Sequence, residues 1–202
     1  MSEKILYQGH GSLRITADGK VIYVDPYAGG GYDKTADLIL ITHDHHDHTD
    51  IGKIKNRAPG CRIITRKEAL EGGTYKTFDF GFVSVEATEA GYNRNHNVKE
   101  CVGFILYFPD GISVYVSGDT STTKQMPDLA LKKIDYAFFC CDGIYNMDIE
   151  EAAKCAVTVG AKHNIPYHMK PGKLFDRKRA ESFNAPGRLI VADGEEIVLT
   201  RE

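Results

Sequence analysis

The chain has 202 residues, of which 42% are hydrophobic, enough to build one well-packed core. Its 25 basic and 28 acidic residues give a formal charge of −3, so it lacks the strongly basic field expected of proteins devoted to nucleic acids or anionic membranes. No run reaches the ~18 to 20 apolar residues of a membrane span, and the N-terminus lacks the apolar region of a signal peptide.

The cysteine content indicates a reducing compartment. The chain has five cysteines, an odd number, and no CxxC spacing, so it predicts neither a disulfide framework nor a cysteine-ligated zinc site. Since no linker is apparent either, we predict a single cytoplasmic domain over residues 1–202. We expect no membrane and no nucleic acid among its partners.

Short β-rich segments, separated by glycine or Asp-Gly turns, follow each other from the N-terminus. In the first half of the chain, the predicted strands have the sequences ILYQG, SLRIT, VIYVD, LILIT and RIITR. In the second half, they cover residues 82–87, 101–108, 112–118, 136–141, 165–168, 188–192 and 195–200. So many strands exceed what one ordinary sheet holds.

The clearest predicted helix starts after Asp148, an acceptable N-cap with Glu151 three residues on as in a capping box, and ends at Gly160. A second helix is predicted to begin near Asp176. Shorter helical segments are predicted at residues 51–56, 66–71 and 127–133. Because these helices interrupt the strands without a strict βαβ alternation, we predict an α+β fold of two sheets stacked face to face with helices outside.

The segment ITHDHHDHTD, residues 41–50, follows an apolar run and contains four of the eight histidines. His43 and His45 are two residues apart, which in extended backbone places both side chains on one face, where one ion can bind them. A loop can direct Asp47 and His48 toward a second ion. A solvated polar loop or an adventitious metal site is the alternative.

Three further residues of ligand type occur downstream at strand ends or in loops. They are His96 in AGYNRNHNVK, Asp119 in SGDT and His168 in IPYH. At such positions a rigid sheet can hold a functional group beside a cleft. Their placement favours a built metal centre over the solvated loop.

The ordered set of THDHHDH, His96, GDT and IPYH resembles the metallo-β-lactamase superfamily of dinuclear metal hydrolases over nearly the whole chain. The segments GHGSLRI, VIYVDP, EAGYN and MDIEEAAK are similar to a branch of small metal-dependent hydrolases related to ascorbate-6-phosphate lactonase. The resemblance implies the four-layer αββα sandwich of that superfamily. It does not fix a substrate.

The resemblance also implies two divalent ions with seven protein ligands. One ion would be held by His43, His45 and His96. The other would be held by Asp47, His48 and His168, with Asp119 bridging the two ions. In the superfamily, lactamases that hydrolyse antibiotics carry a cysteine near the position of Asp119. An aspartate there argues for the broader hydrolase branches.

Nitrogen and oxygen ligands without a thiolate suit Zn²⁺ first and Mn²⁺ second, and Fe²⁺ is also compatible. Two such ions about 3.5 to 4 Å apart can share a water, lower its pKa toward about 7 and polarise a carbonyl or phosphoryl oxygen. No serine or cysteine nucleophile is then needed. Asp47 can in addition hold or shuttle a proton, which makes it the candidate catalytic residue.

Other polar residues surround the predicted ligands. Asp25 matches a position that supports metal-bound histidines in the superfamily, while an aspartate before Pro26 equally suits a turn. For His10, a histidine packed and hydrogen-bonded at a sheet end is the preferred interpretation, and support of a metal ligand is the alternative. His46 falls on no ligand position of the pattern and is expected to be structural or exposed.

Several residues are candidates for contacting substrate. Tyr92, Asn93 and Tyr145 lie near predicted strand ends, where tyrosines also serve as packing residues. Lys170 or Lys173, just after the last predicted ligand, is expected to contact an anionic group, with a solvated surface as the alternative.

The leading hypothesis is a metal-dependent hydrolase whose metal-bridging hydroxide cleaves a lactone, ester or phosphoester bond in a small substrate, with an anionic substrate as one option. A phosphodiesterase or nuclease of the same superfamily is the first alternative, and the lack of a basic surface counts against it. A non-catalytic metal or ligand sensor is the second. A small-molecule substrate is the expected partner, and the sequence leaves a homo-oligomer open.

Overall fold

The computed structural model describes residues 2–201, which form two six-stranded sheets. In chain order the strands are β1 (Lys4–Gly9), β2 (Ser12–Ala17), β3 (Lys20–Val24), β4 (Ala36–Leu40), β5 (Arg57–Ile64), β6 (Thr77–Asp79), β7 (Ser84–Glu89), β8 (Val102–Tyr107), β9 (Ser113–Val116), β10 (Tyr136–Cys140), β11 (His163–Tyr167) and β12 (Glu196–Val198). The first sheet has the order β12-β1-β2-β3-β4-β5 and the second has the order β11-β10-β9-β8-β7-β6.

Both sheets are mixed. Strands β3, β4 and β5 run parallel in the first sheet, and β9, β10 and β11 run parallel in the second. The other neighbours pair antiparallel. Parallel neighbours end at the same edge of a sheet, so the segments that follow these strands gather in one region, where ligands commonly bind.

Alternating side chains place apolar residues on both faces of the first sheet. On β4, Leu38 and Leu40 belong to the main core between the sheets, whereas Ile39 belongs to a smaller cluster on the other face. Tyr32, in the loop after β3, and Ile54 are members of the same smaller cluster. A loop and a short turn therefore cover this outer face.

The helices are few and mostly short. They are α1 (Arg66–Ala69), α2 (Met126–Leu129), α3 (Ile149–Val159) and α4 (Arg177–Ser182). Single 3₁₀ turns cover His46–His48, Ile51–Lys53, Glu71–Gly73 and Ala130–Lys132. The predicted helix near residue 176 is α4, and the three shorter predicted segments contain α1, α2 and 3₁₀ turns.

Helix α3 has the predicted ends but a different N-terminal contact. The Asp148 side chain accepts hydrogen bonds from the backbone N–H groups of Glu150 and Glu151, and Gly160 ends the helix in a left-handed conformation. The Glu151 carboxylate accepts hydrogen bonds from the backbone and hydroxyl of Thr122. It therefore ties the helix to the loop after β9 instead of closing a capping box.

The predicted α+β fold of two stacked sheets is confirmed. Helix α3 packs against β10 of the second sheet, and Ala69 of the short α1 belongs to the main core between the sheets. Within residues 2–201, no helix is both long and apolar enough to cross a membrane. The extent of the single domain stays a prediction.

The prediction of a strand at 188–192 is wrong. This segment forms only an isolated parallel bridge to Asn164 of β11, whose N–H donates to Gly187 and whose carbonyl accepts from Leu189. Two residues further along β11, the next donor on this side would belong to Pro166, which has no N–H. The ladder therefore stops after one bridge.

Candidate metal centre

Four strand ends bring the seven predicted ligands together at one edge of the sandwich. The ligands follow β4 (His43, His45, Asp47 and His48), β7 (His96), β9 (Asp119) and β11 (His168). Most of these side chains are buried, whereas His45 is exposed and Asp47 is partly exposed. The centre therefore stands on rigid parts of both sheets and opens to solvent on one side.

The candidate ligands outside Asp119 fall into two main groups, which a third group of Asp25, His43 and His48 overlaps, and within each group the ligand atoms lie within 4.8 Å of one another. One group consists of His43, His45 and His96. The other consists of His10, Asp47, His48 and His168. Apart from the addition of His10, this is the division that the sequence resemblance implies.

Asp119 lies between the two groups. Its Oδ1 atom is 3.5 Å from Nε2 of His48, and its Oδ2 atom is 3.4 Å from Nε2 of both His96 and His168. One carboxylate thus approaches imidazoles of both groups. This placement suits the bridging role that the resemblance implies.

Five buried atoms of the predicted ligands have no hydrogen-bond partner within residues 2–201. They are Nε2 of His43 and His48, both ring nitrogens of His168 and Oδ1 of Asp119. A buried polar atom without a partner costs roughly 1–3 kcal/mol, so five at one place indicate a site built for an electrophile. Imidazole nitrogen and carboxylate oxygen both bind divalent ions, and the residues present therefore fit a metal centre.

Asp25 is fully buried beside the predicted ligands. Its carboxylate accepts hydrogen bonds from Nδ1 of His48 at 2.8 Å and from the N–H and hydroxyl of Thr42 at 2.8 and 2.6 Å. The Thr42 hydroxyl also lies 2.9 Å from Nδ1 of His43. These bonds occupy Nδ1 of both imidazoles and leave Nε2 for a metal.

Asn93 and His10 orient two further predicted ligands. Oδ1 of Asn93 lies 3.1 Å from Nδ1 of His96, and Nε2 of His10 lies 2.9 Å from Oδ2 of Asp47. The ring centroid of His10 is 3.8 Å from that of His168. His10 is therefore packed and hydrogen-bonded, and its hydrogen-bond partner is a predicted ligand. Its place directly after a strand is the sequence signal for this position.

Three residues of the centre have left-handed backbone conformations that favour glycine. They are His10 (φ 52°), Asp25 (φ 46°) and His168 (φ 46°). Such conformations cost about 1–3 kcal/mol each in other residues and concentrate at functional sites. The strain supports a functional role for this edge of the sandwich.

A protein-family model described as a beta-lactamase superfamily domain matches residues 4–168 of the chain, well over half of its length. The chain belongs to the β-lactamase superfamily.

Relatives and solved structures agree with this membership. A protein of Geobacillus thermodenitrificans named UPF0173 metal-dependent hydrolase is 31% identical over 193 residues, covering 82% of this chain and 84% of the relative. The crystal structure of a candidate metal-dependent hydrolase from Parabacteroides distasonis is 29% identical, with a TM-score of 0.78 and coverage of 95% and 93%. A candidate zinc-dependent hydrolase of the metallo-β-lactamase superfamily from Thermotoga maritima, 19% identical, has a TM-score of 0.67 and coverage of 93% and 97%, which shows the shared fold.

In this β-lactamase superfamily member, burial is the largest single influence on the pKa values of the buried imidazoles. Burial, followed by the charge of His48, holds the pKa of His43 well below its ordinary value, and burial also lowers the pKa of His96. For His48, burial opposes protonation, but the carboxylates of Asp119 and Asp25 outweigh it and raise the pKa well above its ordinary value. In the absence of metal, these carboxylates therefore favour the protonated form of His48.

Binding of a divalent ion is accordingly expected to displace a proton from His48. Affinity should rise about tenfold per pH unit while His48 is protonated, and should weaken as the pH falls. Calorimetric titration of Zn²⁺ in two buffers of different ionisation enthalpy measures the released proton. Affinity that does not change with pH, with no proton release, would contradict this expectation.

Five of the seven predicted ligands line the floor of a cleft of about 960 Å³, namely His45, Asp47, His96, Asp119 and His168. Side chains on its walls include those of Tyr27, Lys53, Tyr145, Lys173 and Leu174. Tyr145, a predicted substrate-contacting residue, has 51% of its surface exposed. The cleft therefore combines a polar floor with aromatic, apolar and cationic walls, as small-molecule sites commonly do.

Lys170, Tyr92 and Asn93, which are also candidates for contacting substrate, do not line this cleft. Among the described residues that line it, Lys170 does not occur, and its Nζ lies 4.0 Å from Oδ2 of Asp176. Lys173, the other lysine considered, lines the cleft. Tyr92 and Asn93 line an adjacent, shallow pocket that shares Asn95 and His96 with the cleft, and Asn93 contacts the predicted ligand His96.

Proposed function

We propose that this member of the β-lactamase superfamily is a dinuclear metal-dependent hydrolase that cleaves a lactone, ester or phosphoester bond in a small substrate. The observation that carries the proposal is the pair of ligand groups on either side of Asp119, with buried ligand atoms that lack partners, at the floor of an open cleft. The names of the relatives, which include metal-dependent hydrolase, support it. A lactonase-like substrate is part of the proposal.

The chain's own residues prepare the floor for this chemistry. With two divalent ions bound, Zn²⁺ by preference and Mn²⁺ or Fe²⁺ as alternatives, the centre would supply a water of low pKa and polarise the substrate oxygen. Burial opposes ionisation of Asp47, but the hydrogen bond from His10 and the charges of His48 and His168 outweigh it and hold the pKa of this carboxyl below its ordinary range. Asp47 therefore stays ionised at neutral pH, the form that binds metal, and it is a weaker proton acceptor than an ordinary carboxylate.

Two lysines favour a substrate with an anionic group. Nζ of Lys53 donates to the carbonyls of Tyr27 and Gly29 at 2.5 and 3.2 Å, which holds its ammonium group at one wall. Lys173 is exposed and lines the same cleft. A carboxylate or phosphate on the substrate would meet positive charge there while the scissile bond lies on the floor.

Replacing Lys173 by alanine is expected to raise KM for an anionic substrate about 3- to 10-fold with little change in kcat, because it removes a contact made in both ground and transition states. A neutral substrate with the same scissile bond should be unaffected. Lys170→Ala, three residues away and outside the cleft, is the matched control. Equal KM changes in both lysine variants, or no change in either, would count against Lys173.

The proposed function is tested with the purified chain reconstituted with Zn²⁺, Mn²⁺ or Fe²⁺. Metal content is measured by elemental analysis, and turnover is assayed on lactones, aryl esters and phosphodiesters with and without a chelator. Metal-dependent hydrolysis of a lactone or ester supports the proposal. Turnover of phosphodiesters or nucleic acid alone would favour the nuclease alternative, and full metal occupancy with no turnover would favour a sensor.

A further inference from the structure

Asn146 connects two buried carboxylates of the metal centre. Its Nδ2 atom donates hydrogen bonds to Oδ2 of Asp119 at 2.8 Å and to Oδ2 of Asp142 at 2.7 Å. The three residues expose no more than 8% of their surfaces. Hydrogen bonds to ionised groups that are shielded from water are stronger than those between neutral groups. The Asn146 amide is therefore well placed to fix both carboxylates.

Asp142 in turn organises the loop that carries Asn146. Its Oδ1 atom accepts hydrogen bonds from the backbone N–H groups of Ile144 and Tyr145, each at 2.7 Å. Its Oδ2 atom accepts from Asn146 and lies 3.6 Å from Nδ1 of His168. Because each N–H of the Asn146 amide is held by a different carboxylate, the amide has one orientation.

The contact with Asn146 is shorter than any approach of an imidazole to Asp119. The nearest imidazole nitrogens, those of His96 and His168, lie 3.4 Å from Oδ2. Oδ1 lies 3.5 Å from Nε2 of His48 and has no hydrogen-bond partner among the described residues. A hydrogen bond to Oδ2 from outside the ligand groups thus turns Oδ1 toward the interior of the centre.

We infer that Asn146 is a positioning residue for the metal centre, which fixes the carboxylate of Asp119 in the orientation that lets it bridge two ions. This inference rests on the proposed function, because it requires Asp119 to bind metal. The same loop carries Tyr145 to the wall of the cleft, so one segment shapes both the substrate site and the bridging carboxylate.

The variant Asn146→Ala tests this role. We expect its affinity for Zn²⁺ to fall about 10- to 100-fold, as is typical when a partner of a metal ligand is removed. The visible absorption spectrum of the Co²⁺-substituted chain should also change, because Asp119 can then rotate. Circular dichroism of the metal-free variant checks folding, and Asn146→Ser, a milder change with the same expected metal effects, serves if the alanine variant does not fold.

Asn164→Ala is the matched control. Asn164 is also buried, and its Nδ2 atom donates to the carbonyls of Ala161 and Pro186 rather than to a predicted ligand. Asn164→Ala removes two hydrogen bonds donated by the side-chain amide, as many as Asn146→Ala removes. We expect a lower Tm with unchanged Zn²⁺ affinity and an unchanged Co²⁺ spectrum.

The outcomes separate the inference from the proposed function. Unchanged affinity and spectrum in a folded Asn146 variant, or equal changes in Asn164→Ala, would overturn the inference alone. A wild-type chain that binds no divalent ion would overturn the proposed function, and the positioning role with it.

Discussion

Replacing His48 by alanine is expected to remove one of the two proposed ions, whereas replacing His46 by alanine should leave the metal content unchanged. The His48 side chain is 0% exposed and its Nε2 atom lies 3.5 Å from Oδ1 of Asp119, while the His46 side chain is 87% exposed. The two histidines are two residues apart, and each variant loses the same kind of side chain. A difference between the variants therefore reflects where each histidine lies in the structure. We expect turnover to fall more than about 100-fold in the His48 variant, beyond the usual effect of losing an outer partner of a ligand.

The measurement is elemental analysis after dialysis against buffer with a fixed free Zn²⁺ concentration. Circular dichroism of the metal-free variants shows whether a loss of metal follows from a loss of fold. Equal metal losses in the His46 and His48 variants would contradict the assignment of His48 as a ligand and His46 as a spacer in residues 41–50. Full occupancy in the His48 variant would remove His48 from the second group.

Local sequence patterns predicted most of the architecture, because strand alternation and turn residues act over short distances. The failures have long-range or weak causes. The segment 188–192 has the composition of a strand, but Pro166 on its neighbour ends the ladder after one bridge. Strand β6 is only three residues long, Thr77–Asp79, and forms by pairing with β7 at a sheet edge.

The candidate ligands could be selected from sequence because their spacing and order match a known pattern and each follows a strand. The resemblance also pointed to Asp25, which contacts His48, but the other hydrogen bonds around the ligands could not be predicted, since they join distant parts of the chain. His10 reaches Asp47 across 37 residues, and Asn146 reaches Asp119 across 27. No local signal distinguishes such residues from ordinary loop residues.

The choice between two lysines shows the same limit on a smaller scale. Lys170 and Lys173 follow the last predicted ligand by two and five residues, and either could contact substrate by sequence alone. The turn containing Pro171 and Gly172 separates them, so Lys173 lines the cleft while Lys170 approaches Asp176. Backbone direction over three residues thus decides which cation meets the substrate.

Replacing Asp25 by alanine is expected to lower the free energy of unfolding of the metal-free chain by about 3–5 kcal/mol, as for other buried ion pairs that lose one partner. The change removes the acceptor of His48 and of both Thr42 donors. It also places alanine at φ 46°, a left-handed conformation that costs roughly 1–2 kcal/mol. Urea denaturation in the presence of a chelator measures the loss, and a stability equal to wild type would contradict it.

Asp25→Asn separates the charge of this residue from its shape. Asparagine keeps an acceptor oxygen and tolerates the left-handed backbone, so we expect a smaller loss than with alanine. The pKa of His48 is raised in the folded chain, so pairing of its protonated form with carboxylates stabilises the fold fully below the unfolded pKa of about 6.5 and is lost as the pH rises through the folded value. The stability gap between wild type and Asp25→Asn should therefore be largest in mild acid and shrink toward alkaline pH. A gap that stays constant with pH would show that Asp25 acts through packing and hydrogen-bond geometry, and that the proton on His48 is held by another group.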